Sequence, residues 1–257
     1  MATAKDIRVA PIKSADARAF VQRWHYSGKA YPKSQLHLGA FIDGMLIGVM
    51  QYGDPLVRAK VLPLVRGTKW NDMLELNRMA MIDATPPNTE SRFIAISARI
   101  IRKTYPNMEW LLSFSDGCQC GDGTIYRAAG FLLTGIKKNK TILRAPNGYT
   151  FTDIGFKTST DVKARALAAC GVSRWISKEP TGLPGVVDLP GFQLRYILPL
   201  KPGVRERLTV PILPYTEIIK RGAGMYLGKP RHAPEASSDA LHNPVQRGQG
   251  STDPGAP

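Results

Sequence analysis

The sequence is poor in cysteine and has no long apolar run. Only three of its 257 residues are cysteine. Such a sparse, odd-numbered set, Cys118, Cys120 and Cys170, favours a reducing compartment over a disulfide framework. No stretch approaches the roughly 18 consecutive apolar residues of a membrane span, and residues 1–18 lack the apolar core of a signal peptide. We therefore expect a soluble protein that is not secreted.

Acidic residues are scarce as well. The chain has 20 Asp and Glu against 35 Lys and Arg, a net charge of +15. Charges of the two signs cancel within residues 229–257, so the whole excess lies in residues 1–228. A folded body with this charge attracts polyanions, nucleic acid above all, through phosphate contacts and counterion release. A basic surface without such a partner is the alternative.

Composition divides the chain near residue 228. Residues 229–257 are mostly Pro, Gly, Ser, Gln and other small or polar residues, with too little apolar surface to offset the entropy of ordering. They predict a disordered C-terminal tail. Residues 1–228 are long enough to bury a full core, so we expect them to form a single domain.

Local patterns near the N-terminus predict a helix and a hairpin. Ser14 is a candidate N-cap for a helix that ends near Gly28. Its apolar positions recur at helical spacing, at Ala17, Phe20, Val21 and Trp24. Two apolar runs, 36–42 and 45–51, flank Asp43-Gly44, which supplies the positive φ angles of a tight turn.

The central part of the chain predicts two parallel strands joined by a helix. Residues 74–82 and 110–115 have strand character, and Thr89–Thr104 predicts a helix with Phe93, Ile96 and Ile100 on one face. A glycine-rich loop, 117–123, follows the second strand, where ligands commonly bind. Further strands are expected near 131–136, 194–200 and 208–213, with helices near 126–129 and 162–169. The prediction is an α/β (α+β) fold with a mixed central sheet flanked by helices.

Arg78 stands on the first of these strands. Simple alternation places it on the same face as Leu74, Leu76, Ala80 and Ile82. A guanidinium on an apolar face either pairs with a carboxylate or lines a pocket that receives an anion or a carbonyl group.

Asp116 ends the second strand and is the first candidate for acid/base chemistry or metal binding. Asp122 fits a turn or helix-cap residue better. His25 and Tyr26 are possible ligands for iron or zinc if the fold brings them to Asp116, although a histidine there can equally be a surface or capping residue. Cys118 and Cys120 form only a weak zinc signal.

Residues 125–131, Ile-Tyr-Arg-Ala-Ala-Gly-Phe, resemble the Tyr-x-x-x-Gly-Phe signature of GNAT-type acyltransferases. The segments 24–28, 76–80, 85–92 and 113–127 are more specific, and they resemble the bacteriophage Mu Mom DNA-modification family. The likeness runs in order over residues 20–228.

The resemblance implies a GNAT-like enzyme that converts adenine in phage DNA to a carbamoylmethyl derivative on its exocyclic amine. The product protects phage DNA from host restriction endonucleases, which implies action in the host cytoplasm. Position by position, the resemblance implies that His25, Tyr26 and Asp116 hold iron. It also implies that Arg78, Ser91, Asp116 and Tyr126 take part in catalysis.

The same resemblance implies an acetyl-CoA or other acyl-CoA donor. The loop 85–92 has no glycine and two prolines, so it offers fewer N–H donors to a pyrophosphate than a glycine-rich loop. The residues expected to contact the donor are Met79, Thr89, Ser91 and Arg92. The product joins nitrogen to a methylene carbon, so attack on a thioester carbonyl is not sufficient by itself.

Double-stranded DNA is the expected partner, with the adenine flipped into a pocket. Candidate stacking residues are Tyr52, Trp70 and Tyr149. Candidate phosphate contacts are residues 137–140, Arg92, Arg99, Lys103, Arg205 and Arg207. A GNAT acetyltransferase for a small amine or a protein lysine, and a basic DNA-binding protein without catalysis, are the competing hypotheses. The oligomeric state is left open, a homodimer included.

Overall fold

A computed structural model describes residues 2–144, 148, 150–152, 187–226 and 229–231. Tyr149, the helix expected at 162–169, Cys170 and residues 232–257 lie outside these ranges. The domain boundary at residue 228 therefore stays a prediction.

The main sheet has seven strands in the order β1-β2-β3-β4-β5-β10-β6. Its strands are β1 (Arg8–Pro11), β2 (Ser34–Ile42), β3 (Met45–Gly53), β4 (Met73–Met81), β5 (Trp110–Asp116), β6 (Leu132–Lys138) and β10 (Phe192–Pro199). Short strands form a three-stranded sheet and a hairpin, namely β7 (Ile142–Arg144), β8 (Thr150–Thr152), β9 (Val187–Asp188), β11 (Met225–Tyr226) and β12 (Lys229–Pro230). In the main sheet β4 and β5 are parallel, and the other neighbours are antiparallel.

The α-helices are α1 (Ser14–Trp24), α2 (Arg58–Val61), α3 (Thr89–Thr104), α4 (Thr124–Ala128) and α5 (Thr216–Lys220). The largest core cluster contains Phe93 and Ile94 of α3, while a separate cluster contains Ala17 and Val21 of α1. The predicted mixed sheet flanked by helices is thus confirmed. Within the described ranges, no helix combines the length and apolar character needed to cross a membrane.

The hairpin between β2 and β3 turns at Asp43-Gly44, as predicted. Both residues have positive φ angles, 49° and 78°. Glycine reaches this region without a steric penalty, and Asp is one of the few other residues that tolerates it.

The first helix differs from its prediction at both ends. Lys13 occupies the N-cap position and makes no side-chain cap hydrogen bond, so the prediction that Ser14 caps the helix is wrong. The helix ends at Trp24, because His25 has an extended conformation with φ −82° and ψ 135°. The early end leaves His25 and Tyr26 in the segment that leaves the helix.

The third helix has the predicted bounds, but its buried face is rotated. Ile96 and Ile100 are only half-buried. The buried positions are Thr89, Phe93, Ile94, Ser97, Ala98 and Ile101.

The strand expected at 208–213 is absent from the described structure. Leu208 makes only an isolated bridge to Val65. Pro211 interrupts this segment and cannot donate to a strand ladder.

The parallel strands β4 and β5 pair only near their first residues. The paired positions are Met73 with Trp110, Leu74 with Leu111, and Glu75 with Leu112. Beyond this point β4 remains paired with β3, and β5 remains paired with β10. A gap therefore opens in the middle of the sheet toward the carboxyl ends of both strands.

Candidate active site

The gap between β4 and β5 is the base of a cleft of about 870 Å³. This volume lies in the range of about 300–1,000 Å³ that is typical of small-ligand sites. Residues of β4, β5, the α3 start, the loop after β5 and the end of β6 line it. Among them are His25, Tyr26, Glu75, Arg78, Met79, Glu90, Ser91, Phe114, Asp116, Cys120, Asp122, Tyr126, Lys137, Lys138, Lys140, Tyr226 and Arg231.

A β-bulge on β4 sets the direction of Arg78. The register with β3 passes from Gln51–Arg78 to Tyr52–Leu76, so Asn77 is an extra residue on β4. A bulge of this kind shifts the alternation of side chains. Leu76 packs in the core cluster of α3, whereas Ala80 packs in that of α1. The prediction that Arg78 shares one face with Leu76 and Ala80 is therefore wrong.

The Arg78 side chain is held at the cleft by backbone oxygens. Its Nε donates to the Lys29 carbonyl (3.0 Å) and its Nη1 to the Asn77 carbonyl (2.7 Å). The guanidinium carbon lies 5.7 Å from the centre of the Tyr31 ring. The sequence predicted that Arg78 either pairs with a carboxylate or lines a pocket. It lines the cleft, and its hydrogen-bond partners are backbone carbonyl groups of this chain.

Asp116 accepts a hydrogen bond at each of four lone-pair positions. Its Oδ1 accepts from the Cys118 backbone N–H (2.9 Å) and from Gln193 Nε2 (3.0 Å). Its Oδ2 accepts from Gln119 Nε2 (2.9 Å) and from the Tyr26 hydroxyl (3.2 Å). A carboxylate held by four donors has a fixed orientation.

His25 and Tyr26 lie side by side at the same cleft. Their ring centroids are 4.2 Å apart. The Nδ1 atom of His25 accepts from the Ser27 backbone N–H (3.1 Å) and lies 2.8 Å from Ser27 Oγ. Burial and the nearby Arg78 lower the pKa of His25 to about 4. Burial and the Asp116 charge raise the pKa of Tyr26 well above its usual value, so both rings are neutral at pH 7.

The three residues implied as iron ligands thus line one cleft, but their donor atoms do not fit a metal centre as arranged. The Tyr26 hydroxyl keeps its proton and donates it to Asp116, so it does not offer a phenolate oxygen to a cation. A metal-bound histidine normally donates its other ring N–H, whereas His25 Nδ1 accepts. Among the described residues, no group of three or more His, Cys, Asp or Glu side chains could hold a metal ion. The iron site is not supported.

Tyr126 and Ser91 reach the cleft from the α4 and α3 side. Tyr126 is buried against the rings of Phe131 and Tyr196, at centroid distances of 5.5 and 5.3 Å. Burial raises its pKa to about 12, so the phenol keeps its proton. The Ser91 hydroxyl donates to the Asn88 carbonyl (3.1 Å).

Only part of the expected donor-binding set lines the cleft. Met79 and Ser91 do so. Thr89 is buried and its hydroxyl donates to the Pro86 carbonyl (2.6 Å). Arg92 reaches the Lys5 carbonyl (3.5 Å) instead. Neither Thr89 nor Arg92 is among the described lining residues, so the structure does not place these two at the cleft.

Of the candidate DNA contacts, too, only some line the cleft. Tyr52 is fully buried and its hydroxyl lies 2.5 Å from Ser97 Oγ, so it cannot stack on a base. Trp70 is exposed but is not part of the described cleft lining. Arg207 forms an ion pair with Glu109 at 2.5 Å. Residues 137–140, by contrast, all line the cleft.

Two acidic residues of the cleft have roles that the sequence reading missed. Asp122 is 2% exposed and pairs with Arg127 (3.4 Å) and Arg231 (3.9 Å), and Gly123 occupies the N-cap of α4 without a side-chain cap bond. The cap interpretation of Asp122 is therefore wrong. Glu75 lies where the strands part, and burial raises its pKa to about 7 despite a hydrogen bond from Asn77. The signal for Glu75 in the sequence was that it is a single acidic residue within an apolar strand.

The loop thiols have little reactivity. Cys118 is buried and Cys120 lines the cleft. Burial, together with the Asp116 charge, raises the pKa of both thiols to about 12. They are protonated at neutral pH, which argues against the weak zinc signal.

A mixed sheet that parts between its two parallel strands, with a cleft in the gap, defines an α/β protein. Solved structures similar to it include the ribosomal-protein-S18-alanine N-acetyltransferase of Escherichia coli, with a TM-score of 0.41 and 10% identity, covering 76% of this chain and 94% of that one. An acetyltransferase of Bacillus subtilis in complex with CoA has a TM-score of 0.39 and 10% identity, covering 76% and 98%. These scores are low, so no ligand or residue of those enzymes is assigned to this chain.

Sequence similarity shows the family to which this chain belongs. A model of the Mom protein family matches residues 6–217, and the chain belongs to this family. The chain is 39% identical over 132 residues to the methylcarbamoylase Mom of Escherichia phage Mu. The match covers 51% of this chain and 54% of the relative, so it spans about half the length of each protein.

Proposed function

We propose that this protein is a transferase that modifies adenine in DNA, attaching a carbamoylmethyl group to the exocyclic amine. It would act on phage DNA in the host cytoplasm and protect that DNA from restriction. Membership in the Mom family and the name of the phage Mu relative support the reaction class. The observation that carries the proposal is the single cleft that contains Arg78, Ser91, Asp116 and Tyr126.

The gap in the sheet supports a transfer between two bound molecules. Met79 on β4 and Ser91 in the first turn of α3 would contact an acyl-CoA or related donor. Arg78 and Asp116 would face the adenine. Because residues of both sets line the same cleft, the reacting groups can meet without a large movement of the fold.

The proposed roles follow from the charge and hydrogen bonds of each group. The guanidinium of Arg78 would orient the carbonyl group of the donor by hydrogen bonds. Asp116 would accept a hydrogen bond from the adenine amine, which replaces the Tyr26 hydroxyl, the longest of its four bonds. The neutral phenol of Tyr126 would donate a hydrogen bond to the bound donor.

The electrostatics of the cleft support DNA as the acceptor. The lysines at 137, 138 and 140 are exposed at its rim, and the whole chain carries +15. Such a rim can hold phosphates on either side of a flipped base. An adenine that stays stacked in the DNA duplex could not bring its amine to Asp116.

The test is to express the chain with a plasmid, digest the plasmid DNA and determine the masses of its nucleosides. We expect deoxyadenosine with an added carbamoylmethyl group from the wild type and none from Asp116→Ala. Asp43→Asn, at the β2–β3 turn, is the control and should match the wild type. Unmodified deoxyadenosine in the wild-type sample would refute the proposal, and turnover of acetyl-CoA without DNA would favour a small-amine acetyltransferase.

A further inference from the structure

The chain beyond the family match forms one wall of the cleft. The family model ends at residue 217. Downstream of it, β11 and β12 form a hairpin, and the Asp122 backbone N–H donates to the Met225 carbonyl (3.1 Å). Tyr226 makes a bridge to Gly121 in the loop after β5. These contacts attach the hairpin to the loop next to Asp116.

Tyr226 and Arg231 of this hairpin make a rigid aromatic and cationic surface. Tyr226 is 59% exposed and lines the cleft. The Arg231 guanidinium carbon lies 5.3 Å from the centre of the Tyr226 ring. Its Nη1 lies 3.9 Å from the carboxylate of the buried Asp122. The arginine is thereby anchored to the body of the protein, while much of the tyrosine stays open to a ligand.

The lysines at 137, 138 and 140 line the same cleft, and their side chains have no ion pair among the described residues. An aromatic ring flanked by several cations is the combination that binds an unpaired nucleotide, because the ring stacks on the base and the cations hold its phosphates. Two stacking residues expected from the sequence, Trp70 and Tyr52, do not line the cleft, whereas the exposed rings of Tyr26 and Phe114 line it together with Tyr226.

We propose that the strand pair β11–β12, together with Arg231, is a nucleotide-binding element, in which Tyr226 stacks on the base extruded from DNA and Arg231 contacts a flanking phosphate. This rests on the proposed function, since it assumes that DNA is the acceptor. The adenine ring of a CoA donor offers the same stacking chemistry. The experiment therefore has to separate DNA from donor.

Binding is measured without any donor, on a G·C duplex that carries one A·T pair. Stacking on an aromatic side chain contributes about 1–3 kcal/mol per base, which corresponds to about 5- to 150-fold in affinity. We expect Tyr226→Ala to weaken binding within this range and Tyr226→Trp to keep it. Tyr105→Ala is the matched control, because Tyr105 is exposed but lies outside the described cleft lining.

A second duplex has an abasic site in place of the single adenine. Here Tyr226→Ala should bind as tightly as the wild type, because no base remains to stack. Arg231→Ala should weaken both duplexes and lower the salt dependence of binding by about one unit of slope. A thermal melt checks that each variant is folded.

Equal affinity of wild type and Tyr226→Ala for the A·T duplex overturns the proposal, as does an equal loss on the abasic duplex. A Tyr226→Ala variant that binds DNA normally but binds acetyl-CoA more weakly in an equilibrium titration would assign the hairpin to the donor and also overturns it. These measurements need no catalysis. A wild type that binds as expected but makes no modified adenine would refute the proposed function alone.

Discussion

The two ends of the cleft contain carboxylates in opposite situations. At the end of β5, Asp116 is surrounded by four hydrogen-bond donors. At the point where β4 and β5 part, Glu75 is half-buried beside apolar strand residues, with a hydrogen bond from Asn77 and the positive charge of Arg78 nearby. Burial raises the pKa of Glu75 to about 7, because little in its surroundings replaces the lost water.

One sheet therefore holds its two carboxylates by different means. Donors that converge on Asp116 come from three separate parts of the chain, so its carboxylate is oriented by the fold itself. Glu75 has no such set, and it changes its charge near neutral pH.

The largest effect is expected from Asp116→Asn. The amide would place its NH₂ group against two of the existing donors, so those hydrogen bonds are lost and the donors are left unsatisfied. We expect a loss of about 2–4 kcal/mol in the free energy of unfolding and at least about 100-fold in adenine modification. Urea titration and nucleoside mass analysis measure the two effects. If the variant keeps wild-type stability, the four hydrogen bonds to Asp116 contribute little to the free energy of unfolding.

Glu75→Gln tests the other end of the cleft through the pH dependence of stability. Between pH 4.5 and about 7 the folded protein holds a proton on Glu75 that the unfolded chain has released, so stability falls as the pH rises. Above the pKa of Glu75 in the folded protein, the loss of stability is complete. We expect the variant to be about 2–3 kcal/mol more stable than the wild type at pH 8 and equal to it at pH 4. A difference that does not change with pH would contradict a raised pKa.

Tyr26→Phe removes one of the four donors to Asp116 and leaves three. We expect at most a severalfold change in modification, since the adenine amine takes the place of the Tyr26 hydroxyl on Asp116 and the three other donors keep the carboxylate in place. The modified fraction of plasmid adenine measures this. A loss as complete as that of Asp116→Ala would instead indicate that the phenol is indispensable, as a metal ligand would be.

Local signals predicted the parts of the fold that depend on local chemistry. Asp43-Gly44 determined the hairpin, and Tyr105-Pro106 marked the end of α3. The direction of Arg78 could not be predicted, because the bulge at Asn77 arises from the register with β3. The resemblance indicated that His25, Tyr26 and Asp116 meet, but the donors that occupy Asp116 come from residues as distant as Gln193. Tyr226 was missed because nothing in its neighbourhood signals that the chain returns to the cleft.

The smallest effect is expected at the rim of the cleft, where charges are solvated. Lys138→Ala removes one cation from the lining and should weaken DNA binding only severalfold at low salt, with the slope of log affinity against log salt reduced by about one. Lys103→Ala makes the same change of charge at the end of α3, outside the described lining, and should stay within about twofold of the wild type. Affinities measured across a salt series compare the two variants. Equal slopes would show that Lys138 contributes only through the overall charge of the protein. Lys138 would then make no specific contact with a DNA phosphate.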